Sequence, residues 1–83
     1  MRTGRAIYMK DKTIWYLRKK AGFKQAELSA ILGLTVTEMS FIENKKVYPD
    51  TLTVSKISEV LKTPVGLIWT EGELNLILER ENK

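Results

Sequence analysis

The sequence contains no cysteine and no histidine, and it has only two prolines. Without cysteine, the chain has no disulfide and no thiolate nucleophile. Without histidine, it has neither the most common general base nor the most common metal ligand. We therefore expect no enzymatic activity, no metal site and no cofactor.

Long hydrophobic runs are also missing. The longest apolar stretches are only a few residues, which is too short for a membrane span or the core of a secretion signal. The 83 residues, of which 43% are hydrophobic and 29% charged, suit one compact folded domain. We expect a cytoplasmic protein that does not enter a membrane.

Charge is unevenly distributed along the chain, whose net charge is +4. Residues 1–62 contain twelve basic and six acidic side chains, whereas residues 63–83 contain two basic and four acidic ones. A basic surface favours a polyanionic partner. The acidic residues 63–83 are expected to face a different partner or surface from the basic residues 1–62.

The first strong helical pattern follows residues 1–12. Ile14, Leu17 and Ala21 recur at spacings of three and four, which predicts the buried stripe of a helix that begins at position 11 or 13. Gly22 is expected to end this helix.

Two further helices are predicted close together. Residues 25–32 form the first of them, and Gly33 provides the left-handed residue that a helix end favours. Thr35 and Glu38 have the spacing of a capping box and predict a third helix that begins at once and reaches about position 43. The inner face of that helix is predicted to carry Met39 and Ile42.

The remaining residues also show helical spacing. Asp50 is predicted to cap a fourth helix, whose buried stripe is Val54, Ile57 and Leu61. Thr63 and Pro64 resemble the cap and first residue of a short fifth helix that ends near Trp69. Thr70 and Glu73 form a second capping box before a last helix. Its predicted apolar stripe is Leu74, Ile77 and Leu78.

Two short helices joined by a tight turn at residues 25–43 have the geometry of a helix-turn-helix, in which the second helix enters the major groove of DNA. The residues around this unit keep a distinctive order: Ile14-x-x-Leu17-Arg18, Gly22-Phe23-Lys24-Gln25-Ala26-Glu27-Leu28, Gly33-Leu34-Thr35, Ile42-Glu43-Asn44 and Pro49. This pattern resembles the phage repressor and Cro type of helix-turn-helix domain, also called the xenobiotic-response-element type, over about residues 14–69.

The resemblance implies an all-α, lambda-repressor-like bundle of five short helices. An extra C-terminal helix and a short N-terminal arm lie outside it. The expected organisation is an arm at residues 1–12, a DNA-binding domain at 13–69 and an amphipathic helix at 70–83. Arg2 and Arg5 in the arm are expected to reach along the DNA backbone or into the minor groove, or else the arm is simply an ordered strand.

The resemblance also assigns roles to single residues. Gln25, at the start of the second helix, is implied to hydrogen-bond a phosphate. Arg18 and Glu43 match the pair that forms a partly buried structural ion pair in this family. The full set implied or inferred to contact phosphates is Lys24, Gln25, Asn44, Lys45 and Lys46.

The base-contacting face is inferred from position on the third helix, and it comprises Val36, Thr37, Ser40 and Phe41. Family members often have polar residues at these sites, so the apolar Val36 and Phe41 are departures. They suit contact with thymine methyl groups, or they suit a protein interface. Glu38 also departs from the family pattern. The capping box explains its presence, because its carboxylate is expected to accept the Thr35 amide.

Two functional hypotheses follow. The leading one is a sequence-specific transcriptional regulator, a repressor that binds a two-fold operator in double-stranded DNA as a homodimer. The last helix, with Leu74, Ile77 and Leu78, is too short to be stable alone, so it either forms the dimer contact, which we favour, or packs on its own domain. The alternative is a protein-interaction module such as an antitoxin, which would bind a protein partner through Val36, Phe41 and the C-terminal helix.

Overall fold

The computed structural model describes residues 13–81, and the chain divides into two compact units, Met1–Val47 and Tyr48–Lys83. We refer to them as the N-terminal unit and the C-terminal unit. All regular structure in the described range is helical, with three helices in each unit, so the predicted all-α class is confirmed. The predicted arm, with Arg2 and Arg5, lies outside the described residues. The helices are α1 Thr13–Lys20, α2 Gln25–Leu32, α3 Val36–Glu43, α4 Thr51–Leu61, α5 Val65–Ile68 and α6 Glu71–Glu81.

The inner face of α1 differs in one residue from the predicted stripe. Ile14 and Arg18, one turn apart, are buried, and Leu17 is half-buried. The prediction that Ala21 continues this stripe is wrong, because α1 ends at Lys20 and Ala21 is exposed. Gly22 then reverses the backbone at a φ of 86°, as the sequence predicted.

Four of the helices end in the same backbone arrangement, with a residue in the left-handed conformation. These residues are Gly22, Gly33, Lys45 and Lys62, with φ values of 86°, 73°, 60° and 53°. After α3, for example, the amide of Lys46 donates to the carbonyl of Phe41 at 2.9 Å, which is the long hydrogen bond of a Schellman motif. The sequence predicted the two glycine ends. It gave no sign of the lysine ends, because lysine in this conformation costs about 1–2 kcal/mol.

The core of the N-terminal unit comes largely from the inner faces of α2 and α3, of which the sequence predicted that of α3. Leu28, Leu32, Met39 and Ile42 are buried, whereas Ile31 is half exposed. The capping box before α3 is confirmed, because the Glu38 amide donates to Thr35 Oγ1 at 3.0 Å and the Thr35 amide donates to Glu38 Oε1 at 2.9 Å.

The C-terminal unit begins with α4, whose predicted cap and stripe are both confirmed. The amide of Thr53 donates to Asp50 Oδ1 at 2.8 Å, and Val54, Ile57 and Leu61 are buried. The predicted start of α5 is wrong by one residue. Pro64 precedes the helix in an extended conformation, and the hydroxyl of Thr63 donates backward to the Leu61 carbonyl at 3.0 Å instead of capping α5.

The last helix, α6, begins at the predicted capping box of Thr70 and Glu73. Its apolar residues do not form one buried stripe, because Ile77 is buried, Leu74 is half-buried and Leu78 is 52% exposed. Successive residues are about 100° apart around a helix, so Leu78 lies well to the side of Ile77.

Polar contacts join the end of α6 to the start of α4. The carboxylate of Glu81 accepts both the amide and the hydroxyl of Thr51, each at 2.6 Å. Arg80 donates to the carbonyls of Tyr48 and Pro49, at 2.9 and 3.1 Å. Neither contact was predicted, since the partners are about 30 residues apart. Within residues 13–81, no helix combines the length and the hydrophobicity that a bilayer span requires.

Candidate nucleic-acid interface

The two helices of the motif are joined by only three residues. Gly33 turns the backbone in the left-handed conformation, and Thr35 already caps α3. Leu28 of α2 and Met39 of α3 are fully buried, so both helices are anchored in the unit from their inner faces. This is the helix, tight turn and helix that the sequence predicted at residues 25–43.

The outer face of α3 carries the four residues predicted to read bases. Val36 and Phe41 are 47% and 44% exposed, Thr37 is exposed and Ser40 is half-buried. Val36 and Ser40 lie one turn apart, as do Thr37 and Phe41, so the four side chains share one face of the helix. That face is adjacent to solvent, and two of its members are large apolar side chains.

Each carboxylate within residues 13–47 accepts a hydrogen bond or forms an ion pair within the unit. Glu27 accepts the amide of Lys24 at 2.7 Å, which is half of a capping box, because a lysine ammonium has no acceptor to complete it. Glu38 accepts the amide of Thr35, and Glu43 is buried beside Arg18. Residues 13–47 contain six basic and three acidic side chains, so the unit retains a positive excess around the motif.

A buried network links α1, α2 and α3. Arg18 Nε of α1 donates to Glu43 Oε2 at the end of α3, and the two side chains are 8% and 4% exposed. A second guanidinium nitrogen of Arg18 donates to the carbonyl of Phe23 at 3.0 Å, in the turn before α2. The side-chain nitrogen Nε2 of Gln25 donates to Glu43 Oε1 at 3.1 Å. The sequence pattern suggested the first pair and gave no sign of the contact with Gln25.

The residues predicted to contact phosphates lie at the start of α2 and just after α3. The hydrogen bond between Gln25 and Glu43 places these two ends side by side. Lys24, Asn44 and Lys46 are exposed. The side-chain amide of Asn44 donates to the Ser40 carbonyl at 2.9 Å, which closes the last turn of α3. The five residues therefore border one edge of the motif: Lys24, Gln25, Asn44, Lys45 and Lys46.

The residues predicted to form a dimer contact lie in the C-terminal unit. Ile77 is 1% exposed and belongs to the core of its own protomer, whereas Leu78 is open to solvent. Leu76, which the sequence reasoning missed, is 54% exposed on the same helix. No apolar residue lies three or four positions from Leu76, so helical periodicity did not single it out.

A comparison with known families decides what this motif is. A family model described as helix-turn-helix matches residues 16–68, well over half of the chain, and includes α2, the turn and α3. The chain belongs to this helix-turn-helix family. The resemblance to the phage repressor and Cro type is thereby confirmed, and the protein is a DNA-binding helix-turn-helix regulator. Neither the comparison with curated proteins nor the comparison with solved structures found a match.

Proposed function

We propose that this helix-turn-helix protein is a sequence-specific repressor that acts in the cytoplasm, where it binds a two-fold operator in double-stranded DNA as a homodimer. The observation that carries the proposal is the charge of the N-terminal unit. The three carboxylates of residues 13–47 are held by internal hydrogen bonds or an ion pair, while basic side chains border the motif that the family uses for DNA. The surface left for a partner therefore attracts a polyanion.

The proposed phosphate contacts come from both ends of the motif. The N-terminus of α2 carries a partial positive charge from its unpaired backbone amides, which favours a phosphate beside Lys24 and Gln25. Asn44, Lys45 and Lys46 extend this edge from the end of α3. Such contacts position the protein on the duplex without reading its sequence.

The proposed sequence reading comes from the outer face of α3. Thr37 and Ser40 offer hydroxyls that hydrogen-bond base edges, and Val36 and Phe41 offer apolar surface that suits thymine methyl groups. Operators rich in thymine at the matching positions are expected.

The proposed dimer uses α6. Leu78 is exposed and supplies contact area, Leu74 is half-buried one turn before it, and Ile77 fixes the helix from inside. Leu76 is also exposed, but it lies about 200° from Leu78 around the helix, on the other flank. A two-fold pairing would match a palindromic operator.

The exposure of Val36 and Phe41 favours a second candidate, a protein-interaction module such as an antitoxin. Exposed aromatic and aliphatic side chains on one helix face are typical anchors of protein interfaces. In that case α3 and α6 would hold a protein partner, and the positive edge of the motif would have no role.

Selection of bound duplexes from a random pool, followed by sedimentation of the complex, tests the proposal. We expect one palindromic sequence and two protein chains per duplex. Phe41→Ala is expected to alter the preference at one base position, by about 1–3 kcal/mol. The matched control is Leu67→Ala, which shortens another exposed apolar side chain outside the motif and should leave the selected sequence unchanged. A uniform loss across all sequences would contradict the assignment of Phe41.

A further inference from the structure

We propose that Glu43 is a positioning residue, which holds the side-chain amide of Gln25 ready for a DNA phosphate. The inference rests on the proposed phosphate contact of Gln25 and adds how that contact is prepared. Its basis is a contact between two residues 18 positions apart, in which Gln25 Nε2 donates to Glu43 Oε1 at 3.1 Å.

The chemistry of the amide fits this role. A glutamine side chain has two N–H donors on one nitrogen, and one of them is directed at Glu43. The second N–H remains for an acceptor outside the protein, and Gln25 is half-buried at the first position of α2, where solvent still reaches it. Because Glu43 binds Nε2, the side-chain amide of Gln25 cannot rotate to put its carbonyl oxygen in the position of that nitrogen.

Glu43 is itself firmly held. Arg18 binds both of its carboxylate oxygens, and Arg18 also donates to the carbonyl of Phe23, two residues before Gln25. The cation offsets the charge of the buried carboxylate, so Glu43 does not repel an approaching phosphate as an unpaired carboxylate would. The network therefore ties the end of α3, which carries the base-reading face, to the residue that meets the DNA backbone.

The expected gain is pre-organisation. A long, unrestrained glutamine loses rotamer freedom when it binds, whereas a side chain already fixed in its bound orientation loses much less. The benefit should appear as coupling between Gln25 and Glu43 in DNA affinity, which a double-mutant cycle measures.

The experiment compares Gln25→Ala in two backgrounds, the natural chain and the double variant Arg18→Met with Glu43→Leu. Apolar side chains of similar size replace the ion pair without leaving an unpaired buried charge. In the natural chain, Gln25→Ala should weaken duplex binding about tenfold, since a hydrogen bond to a charged group is lost. In the apolar background the same change should cost about threefold or less, because the amide is no longer held.

Lys46→Ala is the matched control, because Lys46 is exposed and is not part of the buried network. It should weaken binding by the same factor in both backgrounds. Equal losses for Gln25→Ala in the two backgrounds would overturn the positioning role and leave the phosphate contact intact. No loss in the natural chain would overturn the phosphate contact itself.

A measurement on the natural chain keeps the proposal falsifiable if the apolar variant does not fold. The sequence has one glutamine, so its side-chain amide gives a single pair of proton resonances. Without DNA, one proton of Gln25 should exchange with water more slowly than those of the exposed Asn75, and added duplex should shift the other. Exchange as fast as that of Asn75 for both protons would overturn the proposal.

Discussion

The two units of the protein contain opposite surpluses of charge. Residues 13–47 have six basic and three acidic side chains, and residues 48–81 have three basic and six acidic ones. Both units use carboxylates to cap helices, as Glu38 and Asp50 illustrate. In the N-terminal unit the six basic side chains of the described range outnumber the three carboxylates, and one of those carboxylates, Glu43, is buried in an ion pair, so the surplus on its surface is positive. The position of the acidic residues therefore determines which unit attracts DNA.

The units also differ in what they bury. The N-terminal unit contains a buried ion pair, Arg18 with Glu43, whereas Trp69 and Ile57 represent an apolar core in the C-terminal unit. Polar contacts between α4 and α6, such as Thr51 with Glu81, lie at the surface. Loss of one polar partner should therefore be far more costly in the N-terminal unit, because an unpaired charge remains buried there.

The largest expected effect tests this difference. Glu43→Ala should lower the free energy of unfolding by about 3–5 kcal/mol, because it leaves Arg18 buried without its counter-charge. Glu81→Ala, the matched change at the exposed contact, should cost only about 1 kcal/mol, as the loss of a helix cap does. Urea denaturation followed by far-UV circular dichroism measures both. Similar losses of unfolding free energy in the two variants would show that the units do not differ in the cost of losing a polar partner.

A smaller effect separates folding from binding. Lys45 and Lys62 both end helices in the left-handed conformation, one in each unit, so replacement of either by glycine should raise the free energy of unfolding by about 1 kcal/mol. Only Lys45→Gly should also weaken DNA binding, with a salt dependence about one unit shallower. If Lys62→Gly weakened binding as much, the assignment of the DNA surface to the N-terminal unit would be wrong.

The smallest effect is a pH dependence within the C-terminal unit. Hydrogen bonds from the side chain and the backbone of Thr53 lower the pKa of Asp50 below its ordinary 3.8. Its stabilisation is therefore present above that value and is lost as the pH falls through the lowered pKa. Burial and the neighbouring Glu73 raise the pKa of Tyr48 above 10.0, so its stabilisation is present below that value and is lost as the pH rises through the raised pKa.

Conservative variants isolate the two titrations. Asp50→Asn keeps a good helix cap without a titrating group, and it should flatten the acid limb of stability against pH. Tyr48→Phe should flatten the alkaline limb and leave the acid limb unchanged. Thermal unfolding across the pH range measures both limbs, and an unchanged profile in either variant would refute the corresponding assignment.

Local signals in the sequence predicted most helix boundaries. The capping pairs lie three residues apart and Gly33 follows α2 directly, so each was recognisable within a short window. Lys45 and Lys62 gave no such signal, because the intrinsic preference of lysine disfavours the left-handed conformation that both adopt. Thr63 is a different case, because its hydroxyl binds the carbonyl of Leu61, two residues before it, in place of capping α5.

The candidate site was only partly predictable. The exposed face of α3 follows from helical periodicity once the buried Met39 and Ile42 are recognised. The contact of Gln25 with Glu43 joins residues on different helices, and nothing in either local window indicates it. The exposure of Leu76 beside the buried Ile77 likewise depends on which side of α6 faces the core.

The salt dependence of duplex affinity tests the central claim most directly. The affinity of the full chain should fall linearly with the logarithm of salt concentration, as phosphate contacts release counterions. Lys24→Ala with Lys46→Ala should reduce that slope by about two units, whereas Lys56→Ala with Lys62→Gly in the C-terminal unit should leave it unchanged. Failure to bind any duplex at low salt, or equal slopes in the two double variants, would contradict the account.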